Sequence, residues 1–313
     1  MSLDKLYNEY QIIKQKVADK LIFKLSQIGY ALSCDLLFTS RIPVLKQDVN
    51  LVNCLKTGDK IFISVLPGEV TINLYALTNI LATNNIKVYF YLMYEPIVPL
   101  EVIQFLSPYA LGFFLNNNVY DHPLIHMMPI GIRDCGNVVP MHKGFYHTAL
   151  FEEGQKQHVN KDVLCVMCYS YTHKERELCD KALKGKSFVM NLNDGSYEKQ
   201  PSRHCGKVPI WINYEYTHRA DYTLSPRGCG EDTHRFYEAI YLDSIPIVKR
   251  TNSVYDKLYN IFPCLIVDEW TDVTEELLLS KREEYKEKIR VFKEKYPNAF
   301  TDVNSIHELL LQT

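Results

Sequence analysis

The sequence predicts an α/β protein made of two open, parallel-sheet domains in series. Short apolar runs of strand length recur along the chain, and segments with helical spacing of apolar residues separate them. The runs are apolar on both faces, as in parallel sheets covered by helices on each side. The alternation is lost over the polar residues 140–160 and then restarts, and 313 residues correspond to about two domain lengths. We therefore predict an N-terminal domain over 1–150 and a C-terminal domain over 151–313.

The N-terminal domain begins with a helical segment over 3–28, predicted as one long or one broken helix because its apolar residues recur at helical spacing. A second helix is predicted over 71–82, and Asn84 and Asn85 end its pattern. Strand-length apolar runs lie at 35–39, 60–65, 87–93, 111–115 and 125–130.

The C-terminal domain repeats this alternation with a longer and more charged closing helix. Strands are predicted at 163–169, 187–192, 222–224, 245–248 and 264–267. Helices are predicted at 174–183, 233–242, around 254–258 and at 275–296. The stretch between the second and third of these strands is predicted to be irregular.

Composition and charge exclude several classes of protein. With 35 Lys and Arg against 37 Asp and Glu, the net charge is −2, which argues against a general nucleic-acid or anionic-membrane binder. The sequence has no run of about 18 apolar residues that could span a membrane, and its charged amino end does not resemble a secretion signal. Nine cysteines without framework spacing indicate free thiols in a reducing compartment. We expect a cytoplasmic protein, in the host cytoplasm if it is viral.

The segment most informative about chemistry is 225–239, which follows a predicted strand and opens a predicted helix. Gly228 and Gly230 let the backbone approach a ligand closely, and Asp232 or Thr233 caps the helix. A helix amino end carries free N–H groups and a partial positive charge, both of which favour phosphate oxygens. The pattern predicts a phosphate-binding turn.

Three charged side chains extend this prediction. Arg227 and Arg235 supply guanidinium groups that can bind a diphosphate at two points. Glu238 follows Arg235 by three residues, so both lie on one helix face, and its carboxylate could accept hydrogen bonds from two ribose hydroxyls. The alternative is an ordinary capped helix with a surface Arg–Glu pair.

The run 225–248, SPRGCGEDTHRFYEAIYLDSIPIV, resembles the signature of the exostosin-type glycosyltransferases. The resemblance implies a GT-B-like fold, with two Rossmann-like domains facing a central cleft. It also implies inverting transfer of a hexosyl or pentosyl group from a nucleotide diphosphate donor. The default nucleoside of that donor is uridine, with guanosine next. HMMPIGIRD at 126–134 and VLCVMCYSYTHKERE at 163–177 lie where this family has its last amino-domain strand and its first carboxy-domain strand.

The loop 170–176 follows the first strand of the C-terminal domain. Ligands of open α/β sheets lie beyond the carboxyl ends of the strands, so Lys174 and Arg176 are candidates for the donor phosphates, and Ser170 is assigned to the same donor site. The alternative is the amphipathic start of a helix with ordinary surface charge. The predicted donor-binding residues are therefore Ser170, Lys174, Arg176, Arg227, Gly228, Gly230, Thr233, His234, Arg235 and Glu238.

An inverting transfer needs a base that takes the proton of the acceptor hydroxyl. We expect this base in the N-terminal domain, with Glu95 preferred and Asp134 and Glu69 as alternatives, although each is otherwise an ordinary loop acid. His126, within an apolar strand, is more typical of a core histidine.

No metal or other cofactor is required if arginines and helix amides neutralise the leaving group. The expected partners are a nucleotide-sugar donor and a glycan or glycoside acceptor, with no nucleic acid and no membrane span.

Other sequence patterns are weaker evidence for a function. Cys165 and Cys168 lie three residues apart in a strand, without a second ligand pair, and do not predict a zinc site. Trp211, Tyr214 and Tyr216 could stack on a base or sugar, although packing is their commoner role.

A non-catalytic nucleotide-sugar or glycan-binding module remains the alternative function. An epimerase or dehydrogenase is disfavoured because G-x-G-x-x-G is missing after the first strand of either domain.

Overall fold

The computed structural model describes residues 2–19, 27–39, 48–65, 72–94, 97–132, 160–193 and 210–300. They form a mixed α/β protein with two five-stranded, Rossmann-like parallel sheets. The chain divides into two compact units. Among the described residues, the first unit holds those up to 130 together with Phe300, and the second holds 131–132 and 160–299. The predicted boundary at 150 lies between 133 and 159, outside the described residues, and stays a prediction.

The first unit contains a sheet whose strand order follows the chain, with every neighbouring pair parallel. Its strands are β1 (Leu36–Phe38), β2 (Lys60–Val65), β3 (Val88–Tyr94), β4 (Ala110–Leu115) and β5 (Ile125–Met127). Its helices are α1 (Leu3–Ala18), α2 (Gln27–Ser33), α3 (Leu74–Thr83) and α4 (Leu100–Leu106). Short 3-10 segments occur at Val49–Cys54 and Ser107–Tyr109.

Aromatic side chains fill the core of the first unit because β3 and β4 are buried on both faces. Phe90 stacks on Phe113 with ring centroids 5.7 Å apart, and Tyr91 stacks on Phe114 at 4.5 Å. Helix α1 docks on β1 through Tyr10, whose hydroxyl oxygen accepts a hydrogen bond from the backbone N–H of Leu37 at 2.9 Å. Of the segment predicted to be helical over 3–28, α1 covers 3–18; residues 20–26 lie outside the described residues, and α2 begins at Gln27 and extends beyond the predicted end.

The second unit has the strand order β10-β9-β8-β6-β7, again with parallel neighbours. Its strands are β6 (Val163–Met167), β7 (Val189–Asn191), β8 (Ala220–Leu224), β9 (Ile245–Lys249) and β10 (Leu265–Val267). Its helices are α5 (Lys174–Leu183), α6 (Ile210–Arg219), α7 (His234–Tyr241), α8 (Ser253–Ile261) and α9 (Glu275–Lys295), with a 3-10 turn at Trp270–Asp272.

The last helix, α9, covers the second sheet through both apolar and ionic contacts. Leu278 is fully buried, and its carbonyl accepts a hydrogen bond from the hydroxyl of Tyr222 on β8 at 2.8 Å. Asp221, only 3% exposed, is paired with Lys286 at 2.9 Å and Arg282 at 3.4 Å on α9. Burial of a carboxylate is costly unless it is paired, so these cations fix α9 against the start of β8.

The strand order of the second sheet reverses direction between β6 and β8. From β6 the chain moves to β7 on one side, and it then returns to β8 on the other side of β6. In open α/β sheets, ligands bind beyond the carboxyl ends of the strands at such a reversal. Among the described strands of the first sheet there is no reversal, because their order follows the chain. The topology therefore points to the loops after β6 and β8.

All ten predicted strands are confirmed, and two helices were missed. Helix α4 was not predicted, and α6 occupies part of the stretch that was expected to be irregular, so that expectation was wrong there. None of the helices in the described ranges is both long and apolar enough to cross a membrane.

Candidate functional site

The turn after β8 enters α7 through a tight, hydrogen-bonded loop. The N–H of Gly228 donates to the carbonyl of Gly230 at 3.0 Å. Asp232 is buried, and its carboxylate accepts from the N–H of Thr233 at 2.9 Å and from the hydroxyl of Tyr237 at 2.8 Å. The side chain of Thr233 makes no capping hydrogen bond, although Thr233 is the N-cap residue of α7. Of the two predicted caps, Asp232 is the one whose side chain stabilises the helix start.

Arg176, on the first turn of α5, connects the loop after β6 to the turn after β8. Its side chain is buried, and its Nε donates to the backbone carbonyl of Arg227 at 2.9 Å. Its Nη1 donates to the backbone carbonyl of Ser170 at 2.7 Å. Three of the predicted donor-binding residues are thus brought together. At least two N–H groups of Arg176 bind backbone, so this side chain positions the turn.

Gly228 is required at its position by Arg176. A Cβ atom added to Gly228 would lie 2.6 Å from Nη2 of Arg176 and 3.3 Å from Oγ1 of Thr172. The absence of a side chain therefore lets the buried guanidinium pack against the turn backbone. This is a different reason for glycine from the ligand approach that the sequence suggested.

The side chain of Arg227 forms an ion pair with Glu231, four residues later in the same turn. The two side chains are 27% and 13% exposed, respectively. Burial raises the pKa of Glu231, and the nearby Arg227 opposes that rise. The Nε atom of Arg227 has no hydrogen-bond partner among the described residues. Glu231 was not among the predicted site residues, although an acid four residues after Arg227 is visible in the sequence.

Arg235, near the amino end of α7, lies against the aromatic ring of Tyr169. Its Cζ is 5.7 Å from the ring centroid, and the Cζ of Arg176 is 5.8 Å from the same centroid. Tyr169 is buried directly after β6. The Nε atom of Arg235 has no hydrogen-bond partner within the described ranges. The ring of Tyr169 therefore helps to hold two of the three arginines beside the turn.

Glu238 is buried in the middle of α7, and its Oε1 accepts a hydrogen bond from the hydroxyl of Tyr214 on α6 at 3.1 Å. Tyr214 is itself buried, and Tyr216 lies 4.9 Å from the guanidinium of Arg219. Both tyrosines pack against side chains of their own unit. The side chain of Trp211 lies outside the described residues. That Glu238 binds ribose hydroxyls stays a prediction.

The start of α5 adds a neutral histidine and an exposed lysine to this site. His173 is the N-cap, and its Nδ1 accepts from the N–H of Glu175 at 3.1 Å. Burial lowers the pKa of His173, and the positive charges of Arg227 and Arg176 lower it further. Lys174 is exposed.

His234, the first residue of α7, has its Nδ1 2.8 Å from the backbone carbonyl oxygen of Gly131 within the second unit. Its ring is therefore oriented by a backbone contact rather than left to rotate. Whether His234 contacts a donor stays a prediction.

The three predicted bases, Glu69, Glu95 and Asp134, all lie outside the described residues and stay predictions. His126 on β5 stacks on Phe114 with ring centroids 5.1 Å apart, as expected of a packed histidine. Cys165 and Cys168 are buried. Within the described ranges, no group of three or more His, Cys, Asp or Glu side chains is arranged to hold a metal.

The sequence matched no model of a known protein family and no curated protein. The kind of ligand that this site suits is therefore inferred from its geometry. Three arginines and the amino end of α7 meet beside a glycine turn at the reversal of the sheet, which is an arrangement suited to an anionic ligand.

Proposed function

We propose that the chain is an inverting glycosyltransferase of GT-B fold that moves a sugar from a nucleotide diphosphate donor, with a uridine diphosphate sugar as the default, to a glycan hydroxyl. The observation that supports the proposal is the pair of hydrogen bonds from Arg176 to the carbonyls of Ser170 and Arg227. They join the two loops that flank the reversal of strand order. The resemblance of residues 225–248 to the exostosin-type signature supports the same function.

In this proposal, the second unit binds the donor. Arg227, Arg235 and the amino end of α7 neutralise the diphosphate, and they stabilise the charge that develops as the nucleoside diphosphate leaves. Lys174 is exposed and can approach the outer phosphate. Glu238 accepts hydrogen bonds from the ribose hydroxyls after a rearrangement of its contact with Tyr214. No metal or other cofactor is needed for this neutralisation.

The acceptor is bound by the N-terminal domain, which supplies the base. The base removes the proton of the acceptor hydroxyl as that oxygen attacks the anomeric carbon, and the bond from this carbon to the diphosphate oxygen breaks on the opposite face. Configuration at the anomeric carbon is therefore inverted. Glu95 is the first candidate for the base, and Asp134 and Glu69 are the alternatives.

Donor binding is tested by thermal shift against a panel of nucleoside diphosphates and their sugars, followed by calorimetry of the best ligand. Arg227→Ala and Glu238→Ala should weaken binding strongly while the variants remain folded. Arg290→Ala, which removes an exposed arginine on α9, should bind as the parent does. If Arg227→Ala and Glu238→Ala bound every ligand normally, the donor site would be elsewhere.

Transfer is tested separately with a panel of glycans and glycosides. Glu95→Gln should keep donor binding and lose transfer. Slow hydrolysis of the donor, without transfer to any acceptor, would favour the non-catalytic binding module instead.

A further inference from the structure

The three arginines beside the glycine turn are held in three different ways. Arg176 is fixed by two backbone carbonyls, and Arg235 lies against the ring of Tyr169. Arg227 differs, because its side chain is held by a carboxylate, that of Glu231. A phosphate can replace a carboxylate as the partner of a guanidinium, since each of these anions can accept two parallel N–H bonds from it. Arg227 is therefore the arginine whose partner a ligand can exchange.

The backbone beneath Arg227 is fixed independently of that ion pair. Its carbonyl accepts from Nε of Arg176, and the turn that follows is closed by the bond from Gly228 to Gly230. The guanidinium can therefore exchange partners without displacement of the loop. Its Nε lacks a hydrogen-bond partner in the part of the chain that the structure describes, so the group is not saturated by Glu231.

The charge of Glu231 is opposed by its surroundings and depends in part on Arg227. Its side chain is 13% exposed, and the negative charge of Glu175 acts against it. Its ion pair with Arg227 and a side-chain hydrogen bond with Thr251 favour the charged form. Glu231 therefore competes for Arg227 with any anion that enters the site.

We propose that Glu231 sets the affinity of the donor site: its carboxylate holds the Arg227 guanidinium when the site is empty and gives it up to the diphosphate of the donor. Glu231 is a positioning residue, because it acts through Arg227. The proposal rests on the proposed function, since it takes a nucleoside diphosphate as the ligand. It adds that the empty site carries its own competing anion.

The test is calorimetry of uridine diphosphate and inorganic pyrophosphate binding to the full chain. Glu231→Gln should tighten binding about fivefold, the upper range for the loss of one partly exposed ion pair. Glu269→Gln makes the same change in net charge at an exposed carboxylate paired with Lys249, and should leave affinity unchanged. In an Arg227→Ala background, Glu231→Gln should have no effect.

The outcomes separate the two proposals. If Arg227→Ala weakens binding but Glu231→Gln does not tighten it, the affinity-setting role is wrong and the donor site stands. Equal tightening by Glu231→Gln and Glu269→Gln would also overturn the role, because net charge alone would then explain it. If neither probe binds, or if Arg227→Ala has no effect, the donor site itself is wrong. Glu231→Asp, which keeps the charge on a shorter side chain, should give intermediate tightening, so a fold defect in Glu231→Gln would not hide the result.

Discussion

Arg176 donates a hydrogen bond from Nε to the backbone carbonyl of Arg227, 2.9 Å away and 51 residues later in the chain. The same guanidinium reaches the carbonyl of Ser170 with Nη1. Two loops on either side of the sheet reversal are therefore held by one buried side chain. A planar group with several N–H donors at fixed angles is needed to reach both carbonyls. The position of the candidate phosphate-binding turn thus depends on a residue outside it.

Arg176→Lys should destabilise the second unit. A single ammonium group cannot reach both carbonyls with the geometry of the guanidinium, so one buried acceptor loses its partner. We expect the free energy of unfolding to fall by about 1–3 kcal/mol. Urea denaturation measures the change. The matched control is Arg219→Lys, at a more exposed arginine paired with Asp162, which should cost less stability because solvent screens that pair. Equal losses in the two variants would contradict the role given to Arg176.

Gly228→Ala should destabilise the protein through Arg176. The added methyl group would lie 2.6 Å from Nη2 of Arg176, which is held by its carbonyl bonds and cannot move without losing them. We expect a loss of about 1–3 kcal/mol in the free energy of unfolding. In an Arg176→Met background, the same substitution should cost much less, and urea denaturation of the four proteins gives the coupling. An unchanged cost in that background would show that the methyl group clashes elsewhere.

Tyr214→Phe should weaken the contact between α6 and α7. The substitution removes only the hydroxyl that donates to Oε1 of Glu238 at 3.1 Å. A buried acceptor that loses its donor costs about 1–3 kcal/mol, and we expect a loss in that range. Tyr75→Phe, at a tyrosine that is 76% exposed, is the matched control and should be neutral. Thermal and urea unfolding of both variants decide the matter, and a neutral Tyr214→Phe would mean that Glu238 is satisfied without this hydroxyl.

The strands were predictable because burial on both faces leaves a clear mark on the sequence, namely continuous apolar runs such as that of β4. Helix α6 left no such mark. Its position is stabilised by contacts with distant residues: Arg219 binds both carboxylate oxygens of Asp162 at 2.9 and 2.6 Å, and Tyr214 binds Glu238. The pattern of Ile210–Arg219 by itself has no strong helical period.

The candidate site was predictable in part. Gly228 and Arg227 were found from local spacing, since a turn between a strand and a helix needs few residues to specify it. The positioning role of Arg176 was not, because it depends on a contact across 51 residues and on the order of the strands. Strand order follows from how the crossovers pack, and apolar periodicity does not encode it. Glu231 was passed over because an acid in a turn is usually solvated, whereas here it is largely buried against Arg227.

Stability should decrease as the pH falls through the range in which His173 titrates in the unfolded chain. Nδ1 of His173 accepts from the N–H of Glu175, which requires the neutral ring. Burial and the charges of Arg227 and Arg176 lower the pKa of His173 below its usual 6.5. The unfolded chain therefore binds a proton first, and stability is lost from about pH 6.5 downward until the folded ring also titrates.

Asn is a good N-cap residue that does not titrate, so His173→Asn should keep the cap and reduce this pH dependence. The measurement is urea denaturation of both proteins at pH 7.5 and pH 5.5. His218, whose pKa is also lowered by burial and by Lys161 and Lys293, is present in both proteins and contributes equally. The parent should therefore lose more stability than the variant between the two pH values. An identical loss would mean that protonation of His173 does not compete with its capping bond.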